Sequence, residues 1–180
     1  EEMKEEGYKG IVFTGGPNSV YEEASPHYAK EVLSLGIPVL GICYGCQLMA
    51  YMAGGEICSA ENSSEYGKTA VFTKKKPLFK NVPYESVCWM SHTDYVKTPP
   101  ESFKIIANTA KCPCAAMCDE KRKLYGVQFH PEVTHTEYGK EMLSNFLFEI
   151  CGCKGEWKMD DFVEHSVEKY RVKLKDKKVL

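Results

Sequence analysis

The sequence predicts an α/β fold, with an open, mixed and mostly parallel sheet flanked by helices. Two short apolar runs, residues 10–14 and 38–42, each lead into a glycine-containing turn and are typical of buried strands. Apolar residues at helical spacing follow each of these runs. This succession of strand, helix, strand and helix favours a parallel sheet.

The two helices of this first part have recognisable ends. Ser25 and Pro26 have the form of a helix start, because serine caps free N–H groups and proline suits the first helical position. Gly36 is typical of a helix end. A second helix is expected to begin near Gln47, directly after the turn that ends the second strand.

The middle of the chain changes character. Short β-prone runs separated by proline, asparagine and lysine predict hairpins and further strands at residues 69–73, 86–90, 95–97, 103–107, 115–118 and 124–129. From residue 137 a helical face returns, made of Met142, Leu143, Phe146, Leu147 and Ile150. A last amphipathic helix follows, with Val163, Val167 and Tyr170 on one side.

The composition excludes several function classes. The 180 residues include 23 Lys and Arg against 25 Asp and Glu, a net charge of −2, so we expect no basic surface for nucleic acid. No apolar stretch approaches the roughly 20 residues of a membrane-spanning helix. Nine cysteines at irregular spacing predict reduced thiols and a cytoplasmic protein.

Two cysteine clusters offer donors for a metal. One consists of Cys112, Cys114 and Cys118, and the other of Cys151 and Cys153. Structural zinc sites usually combine two Cys-x2-Cys or Cys/His pairs, and neither cluster has that form. We therefore expect no metal, and small buried residues at these positions.

A candidate nucleophile follows the second predicted strand. Cys43 has a glycine two residues before it and another two residues after it, between a strand and a helix, as in a nucleophile elbow. Side chains at the flanking positions would collide in such a sharp, strained turn. The free N–H groups at the helix start favour a thiolate and can stabilise an oxyanion.

Two further motifs lie at the ends of predicted strands. In the stretch His130-Pro131-Glu132, residues two apart in extended chain point to the same side, so the Glu132 carboxylate can reach the His130 ring and hold its tautomer. The turn Gly15-Gly16-Pro17 could supply a second oxyanion N–H. Open α/β sheets place their sites at such strand ends, so the motifs are expected to share one site.

Together these motifs resemble those of the class I glutamine amidotransferases. The ordered matches are GGPNSV, GICYGCQ, EYG at 65–67, WMSHTD at 89–94 and GVQFHPE. EYG and WMSH before an aspartate most resemble the glutaminase domain of GMP synthases. The resemblance covers nearly all of residues 8–150 and implies the flavodoxin-like fold of that family.

The resemblance also implies roles for residues. Cys43 would be the nucleophile, His130 the general base and acid, and Glu132 its orienting carboxylate. Gly16 and Tyr44 would provide the oxyanion N–H groups. Gln47, His92, Thr93 and Asp94 would line the pocket for L-glutamine, although Thr93 stands where the family commonly has glycine.

By the same resemblance, residues 1–152 would be the glutaminase domain, and residues 153–180 a linker and helix leading into an ATP-pyrophosphatase synthetase domain. That domain, of the same longer chain, would use ATP and Mg²⁺, whereas the glutaminase domain needs no cofactor. The family also has a strand and a helix before residue 10, so we expect a fragment of a longer protein that is a homodimer at full length.

Three alternatives stay open at this point. The glutaminase could serve another synthase, such as anthranilate synthase. Cys43 and Cys46 also form a Cys-x-x-Cys, as in thiol-disulfide oxidoreductases, although that interpretation leaves Gln47 and the His130-Glu132 pair unexplained. A non-catalytic regulatory domain with the same fold is the third.

Overall fold

A computed structural model describes residues 5–59, 64–156 and 159–175. The strands are β1 (Ile11–Phe13), β2 (Val39–Ile42), β3 (Glu56–Ser59), β4 (Glu65–Thr73), β5 (Glu85–His92), β6 (Asp94–Thr98), β7 (Lys104–Asn108), β8 (Ala116–Asp119) and β9 (Leu124–Val127). The helices are α1 (Tyr44–Met52), α2 (Gly139–Ser144) and α3 (Met159–Leu174). Short 3-10 turns occupy Lys30–Ser34 and Pro77–Phe79, and α2 continues into a π-helical turn, Asn145–Ile150.

Seven strands form one mixed sheet in the order β1-β2-β9-β8-β7-β4-β5. The predicted α/β class is therefore confirmed. The pairings β1–β2 and β2–β9 are parallel, and the other four are antiparallel, so the sheet has fewer parallel pairs than expected. The connections explain this: residues 120–123 suffice for a hairpin from β8 to β9, whereas a parallel connection needs a dozen residues or more.

A second, two-stranded sheet joins β3 to β6 in antiparallel pairing. The sequence patterns did not predict β3, because Glu56–Ser59 is short and its pairing partner lies about forty residues further along the chain. This small sheet lies beside α1, which contacts both of its strands. Its second strand begins at Asp94, so it anchors one side of the segment that follows β5.

The prediction of a helix that starts at Ser25 is wrong. Ala29 has extended backbone (ψ 129°), and only the 3-10 turn Lys30–Ser34 follows. Ser25 Oγ donates to the carbonyl of Ser19 at 2.5 Å instead of capping a helix. The Tyr28 ring stacks on Phe13 of β1 with centroids 4.1 Å apart, so packing against the sheet keeps this segment extended.

Two buried clusters flank the central strands, which explains why β2 and β9 are buried throughout. Leu40 and Ile42 point into one cluster, which α2 and its π-helical continuation cover with Met142 and Phe146. Val39 points into the other, which α1 covers with Leu48, Met49 and neighbouring residues. Alternate residues of a strand face opposite sides, so a strand between two layers must be apolar throughout.

The C-terminal helix α3 is the least buried element. Val163, Val167 and Tyr170, predicted to share one side, are all exposed. Among the described residues, no helix combines the length and apolar character that crossing a membrane requires. All nine cysteines are free thiols.

Candidate active site

Cys43 lies on a strained turn between β2 and α1. Its φ of 51° is in the left-handed region, which residues other than glycine rarely adopt. Its N–H donates to the carbonyl of Val127 at 2.8 Å. The flanking glycines are required by close packing. A Cβ on Gly41 would lie 2.6 Å from the carbonyl oxygen of Gly45, and one on Gly45 would overlap the carbonyl of Phe13. The turn therefore has the form that the sequence predicted.

The start of α1 presents backbone N–H groups next to this cysteine. The first residues of a helix have no intrahelical acceptor for their N–H groups, and Tyr44 is the first residue of α1. The turn at Gly16 lies against it, since a Cβ there would be 3.6 Å from the Tyr44 ring. The Tyr44 side chain itself turns away, and its hydroxyl donates to the Pro26 carbonyl at 2.7 Å. The backbone N–H of Tyr44, and not its side chain, is therefore available as the predicted oxyanion donor.

His130 and Glu132 form a pair after β9. Nδ1 of His130 lies 2.7 Å from Oε1 of Glu132, as the two-residue spacing predicted. The backbone of His130 is held on both sides, because its N–H donates to the Trp89 carbonyl at 3.0 Å and its carbonyl accepts from Thr136 Oγ1 at 2.6 Å. The His130 side chain is 17% exposed and that of Glu132 is 45% exposed, so the carboxylate faces solvent behind the ring.

The His130 ring lies next to Cys43. A Cβ on Gly15 would be 3.1 Å from Cε1 of His130 and 3.6 Å from Cβ of Cys43, so one glycine separates the two side chains. The pKa of His130 rises from 6.5 to about 9, first through its interaction with Cys43 and then through Glu132, against the effect of burial. Nε2 of His130 is a buried atom with no hydrogen-bond partner at ordinary distance among the described residues.

A cleft of about 570 Å³ opens at these residues. Most of the predicted site residues line it, namely Gly16, Cys43, Gln47, His92, Thr93, Asp94 and His130. Tyr44 and Glu132 do not line the cleft and lie behind Cys43 and His130. Further lining residues were not assigned to the site from the sequence: Pro17, Asn18, Ser19, Glu22, Tyr66 and Ser91. Most of these belong to motifs already quoted, whereas nothing in the sequence distinguished Glu22.

Two buried glutamines support the floor of the cleft. Nε2 of Gln47 donates to the Asp94 carbonyl at 2.6 Å and to Oε1 of Gln128 at 3.2 Å. Nε2 of Gln128 in turn lies 3.8 Å from Sγ of Cys43. Gln128 is fully buried, and sequence reasoning missed it because its position inside a predicted strand suggested only a core residue.

The end of β5 and Thr93 after it form the opposite wall. Sγ of Cys43 lies 3.6 Å from the carbonyl of Ser91. Thr93 Oγ1 is 2.8 Å from the hydroxyl of Tyr66, so two side chains that line the cleft are joined at its rim. The threonine that stands at the common glycine position of the family is therefore tied to the EYG segment.

The geometry does not favour the dithiol alternative. Cys46 is completely buried, and burial raises the pKa of its thiol well above the ordinary value. A Cβ on Gly126 would lie 2.6 Å from its sulfur, so β9 covers this side chain. Thiol–disulfide exchange needs an accessible thiolate, which Cys46 does not provide.

A model of the glutamine amidotransferase class-I family matches residues 1–150 of the chain. The chain belongs to this family. The match spans every element from β1 to the π-helical turn after α2, and with it all the residues of the cleft. The expected fold family is thus confirmed.

Curated relatives of this amidotransferase carry a more specific name. The proteins called "GMP synthase [glutamine-hydrolyzing]" from Ruminiclostridium cellulolyticum and Clostridium botulinum are each 56% identical to it over 181 aligned positions. The alignments cover 100% of this chain and 35% of each relative, so the chain spans about a third of the length of the curated relatives it matches.

Solved structures show the same fold. A protein from Thermoplasma acidophilum, described as a subunit of GMP synthase, has a TM-score of 0.70 and 30% identity, with 93% of this chain and 79% of that chain covered. A glutamine amidotransferase from Thermotoga maritima has a TM-score of 0.63 and 22% identity, over 93% of this chain and 67% of that one. The second likeness is one of fold alone.

Proposed function

We propose that residues 1–152 form a glutaminase domain that hydrolyses L-glutamine to glutamate and ammonia through Cys43, His130 and Glu132. One observation carries this proposal: Cys43 projects from a left-handed turn at a helix start, beside an imidazole whose far nitrogen is paired with a carboxylate. A nucleophile, a base and an orienting acid in this order are the parts that acyl transfer requires.

In the first half of the reaction, the Cys43 thiolate attacks the side-chain amide carbon of glutamine and forms a carbon–sulfur bond. The carbonyl oxygen becomes an oxyanion, for which the N–H groups of Gly16 and Tyr44 are the proposed donors. The tetrahedral intermediate collapses as the carbon–nitrogen bond breaks. His130 gives its proton to the departing nitrogen, so ammonia leaves and a γ-glutamyl thioester remains.

In the second half, water replaces ammonia at the same position. His130, now neutral, takes a proton from the water as it attacks the thioester carbon. The carbon–sulfur bond then breaks, glutamate leaves, and the Cys43–His130 pair returns to its starting state. Throughout, Glu132 accepts a hydrogen bond from Nδ1–H of His130 and keeps Nε2 directed to the reacting atoms.

The wall opposite the nucleophile suits an amino-acid substrate. Gln47 and the segment His92-Thr93-Asp94 line the cleft, and Glu22 adds a second acidic side chain to it. Acidic groups attract the α-ammonium group of glutamine, while backbone amides and Gln47 can pair with its polar atoms. We propose that these residues hold the substrate with its side-chain amide next to Cys43.

We further propose that the domain belongs to a GMP synthase. The curated relatives that carry this name support the assignment over the anthranilate synthase alternative. In that setting, residues 153–180 lead into an ATP-pyrophosphatase domain, which uses ATP and Mg²⁺ and the ammonia to convert XMP to GMP. A cytoplasmic homodimer is the proposed state of the longer protein.

The test is covalent trapping with an electrophilic glutamine analogue, followed by mass mapping of the labelled residue. We expect one label, on Cys43, and competition by L-glutamine but not by glutamate. Label on Cys46, or on none of the nine thiols, would contradict the proposed nucleophile. The longer protein tests the synthase separately: it should form GMP from XMP with glutamine, and with ammonia alone after Cys43→Ala.

A further inference from the structure

A buried polar group lies directly behind the wall of the cleft. Glu65, at the start of β4, and His92, at the end of β5, are directly opposite each other in the antiparallel pair. Their side chains are only 6% and 1% exposed. A buried ionisable side chain destabilises the folded protein unless it has a partner. The proposed reaction steps give this pair no role, so its presence needs another explanation.

The carboxylate of Glu65 is fixed from below by Thr109. Oγ1 of Thr109 lies 2.9 Å from both Oε1 and Oε2 of Glu65. The same hydroxyl accepts the N–H groups of Lys111 at 3.2 Å and Cys112 at 2.8 Å, and the Thr109 N–H donates to the Cys112 carbonyl at 2.9 Å. The turn at 109–112 therefore fixes the Thr109 hydroxyl by hydrogen bonds, and this hydroxyl in turn fixes the Glu65 carboxylate.

The His92 ring faces this carboxylate. Nε2 of His92 lies 3.5 Å from Oε2 of Glu65, the one acidic group within ion-pair distance of it among the described residues. Neither ring nitrogen has a closer hydrogen-bond partner in the part of the chain that the structure describes. Burial lowers the pKa of His92, and the Glu65 carboxylate opposes that effect.

His92 connects the buried pair to the reacting groups. The residue before it, Ser91, offers its carbonyl to Sγ of Cys43 at 3.6 Å. Two residues after it, the Asp94 carbonyl accepts from Gln47 at 2.6 Å. The His92 ring thus anchors the middle of a segment whose two ends contact the nucleophile and the floor of the cleft.

We propose that Glu65 is a positioning residue: its carboxylate, held by Thr109, fixes the His92 ring and so keeps residues 91–94 in place against Cys43. This inference rests on the proposed glutaminase function. It extends the working parts of the site from the cleft to the turn at 109–112, whose Thr109 lies 44 residues after Glu65 in the chain.

A bound cation is the competing explanation. Sγ of Cys112 lies with the Glu65 and His92 ligand atoms, all within 4.8 Å of one another, and zinc takes such donors. Two features favour the hydrogen-bonded arrangement. The Thr109 hydroxyl donates to the Glu65 carboxylate and lies 2.9 Å from each of its oxygens, and burial raises the pKa of the Cys112 thiol, which must lose its proton to bind a metal.

The test compares Glu65→Gln with Glu85→Gln, which removes an exposed carboxylate at the other end of the same strand pair. We expect Glu65→Gln to raise KM for glutamine roughly 10-fold, since small displacements of positioning groups have large effects. Labelling of Cys43 by the glutamine analogue should slow by a similar factor. Its reaction with iodoacetamide, which has no α-amino or α-carboxyl group for the wall of the cleft to bind, should stay within about 2-fold of the wild-type rate.

Thr109 provides a second pair of variants if Glu65→Gln fails to fold. Thr109→Val removes the hydroxyl and should raise KM, whereas Thr109→Ser retains it and should restore KM toward the wild-type value. The proposal is overturned if Glu65→Gln and Glu85→Gln have the same KM, or if labelling by both reagents falls in parallel. The proposal would also be overturned if the wild-type protein binds one equivalent of zinc and the Cys112→Ser variant does not. Failure of the analogue to label wild type would instead refute the proposed function.

Discussion

Nδ1 of His130 lies 2.7 Å from Oε1 of Glu132, yet almost half of the Glu132 side chain is exposed. The pair thus has a buried end, next to Cys43, and a solvated end. Because water screens and can replace an exposed carboxylate, the contribution of Glu132 is mainly to orient the ring, and less to stabilise its charge.

We therefore expect Glu132→Gln to lower kcat for glutamine hydrolysis by roughly 10²-fold and to leave KM nearly unchanged. Steady-state kinetics with detection of glutamate measure both parameters. Glu137→Gln is a suitable control, since the Glu137 carboxylate accepts the Val87 N–H of β5 and lies outside the cleft. A large rise in KM with unchanged kcat would assign Glu132 to substrate binding.

The two cysteines of the elbow should differ in their effects. Cys46→Ser should retain labelling of Cys43, but it places a hydroxyl where no water can reach, and should lower the free energy of unfolding by about 1–3 kcal/mol. Cys43→Ser should abolish labelling. Urea denaturation and mass mapping test the two expectations. Loss of activity in Cys46→Ser with unchanged stability would revive the dithiol alternative.

The flanking glycines should tolerate no side chain. Gly45→Ala would push Cβ into the Phe13 carbonyl, and we expect a loss of about 3 kcal/mol in the free energy of unfolding together with loss of Cys43 labelling. Gly152→Ala is the control, because Gly152 has a left-handed φ of 71° but open space around it. It should cost roughly 1–2 kcal/mol through backbone strain alone and leave labelling unchanged.

The raised pKa of His130 predicts a dependence of stability on pH. The folded protein binds the proton more tightly than the unfolded chain, so this contribution is complete below the ordinary pKa of 6.5 and is lost as the pH rises through about 9. The difference in unfolding free energy between wild type and His130→Gln should therefore shrink from pH 6 to pH 10. Urea denaturation at both values measures it.

Cys43 is the first cause of that shift, which allows a direct check. Replacing Cys43 by alanine should lower the pKa of His130 toward 6.5, while Glu132 and burial continue to act in opposite directions. Titration of the ring protons by NMR measures the change. An unaltered pKa in Cys43→Ala would mean that the two side chains do not interact in solution.

Local patterns predicted most of the strands and the positions of Cys43 and His130 after two of them. Cys43 and His130 each follow a short apolar run, and the end of such a run is where an α/β sheet places polar groups. What local patterns could not provide are contacts between distant segments. The extended segment before Lys30 is set by the stacking of Tyr28 on Phe13, and helical spacing alone gives no sign of this contact.

The same limit applies to the residues behind the cleft. Gln128 looked like an ordinary strand residue, and its contacts with Gln47 and Cys43 exist only once β2 and β9 are paired. Glu65, His92 and Thr109 come from three separate segments. Their types were visible in the sequence, but their proximity depends on the order of the strands in the sheet.

Cys43 and His130 each emerge from one of two adjacent parallel strands, with Ile42 of β2 opposite Val127 of β9. A slip of two residues between these strands would keep every apolar side chain on the same face of the sheet. It would also shift the Cys43 thiol relative to the His130 imidazole by about 7 Å along the strand axis. Molecules with this slip would lack the proposed contact between Cys43 and His130, although a stability assay would count many of them as folded. Under the proposed function, the rate of glutamine turnover per molecule would therefore report the fraction of molecules in which β2 and β9 are correctly aligned.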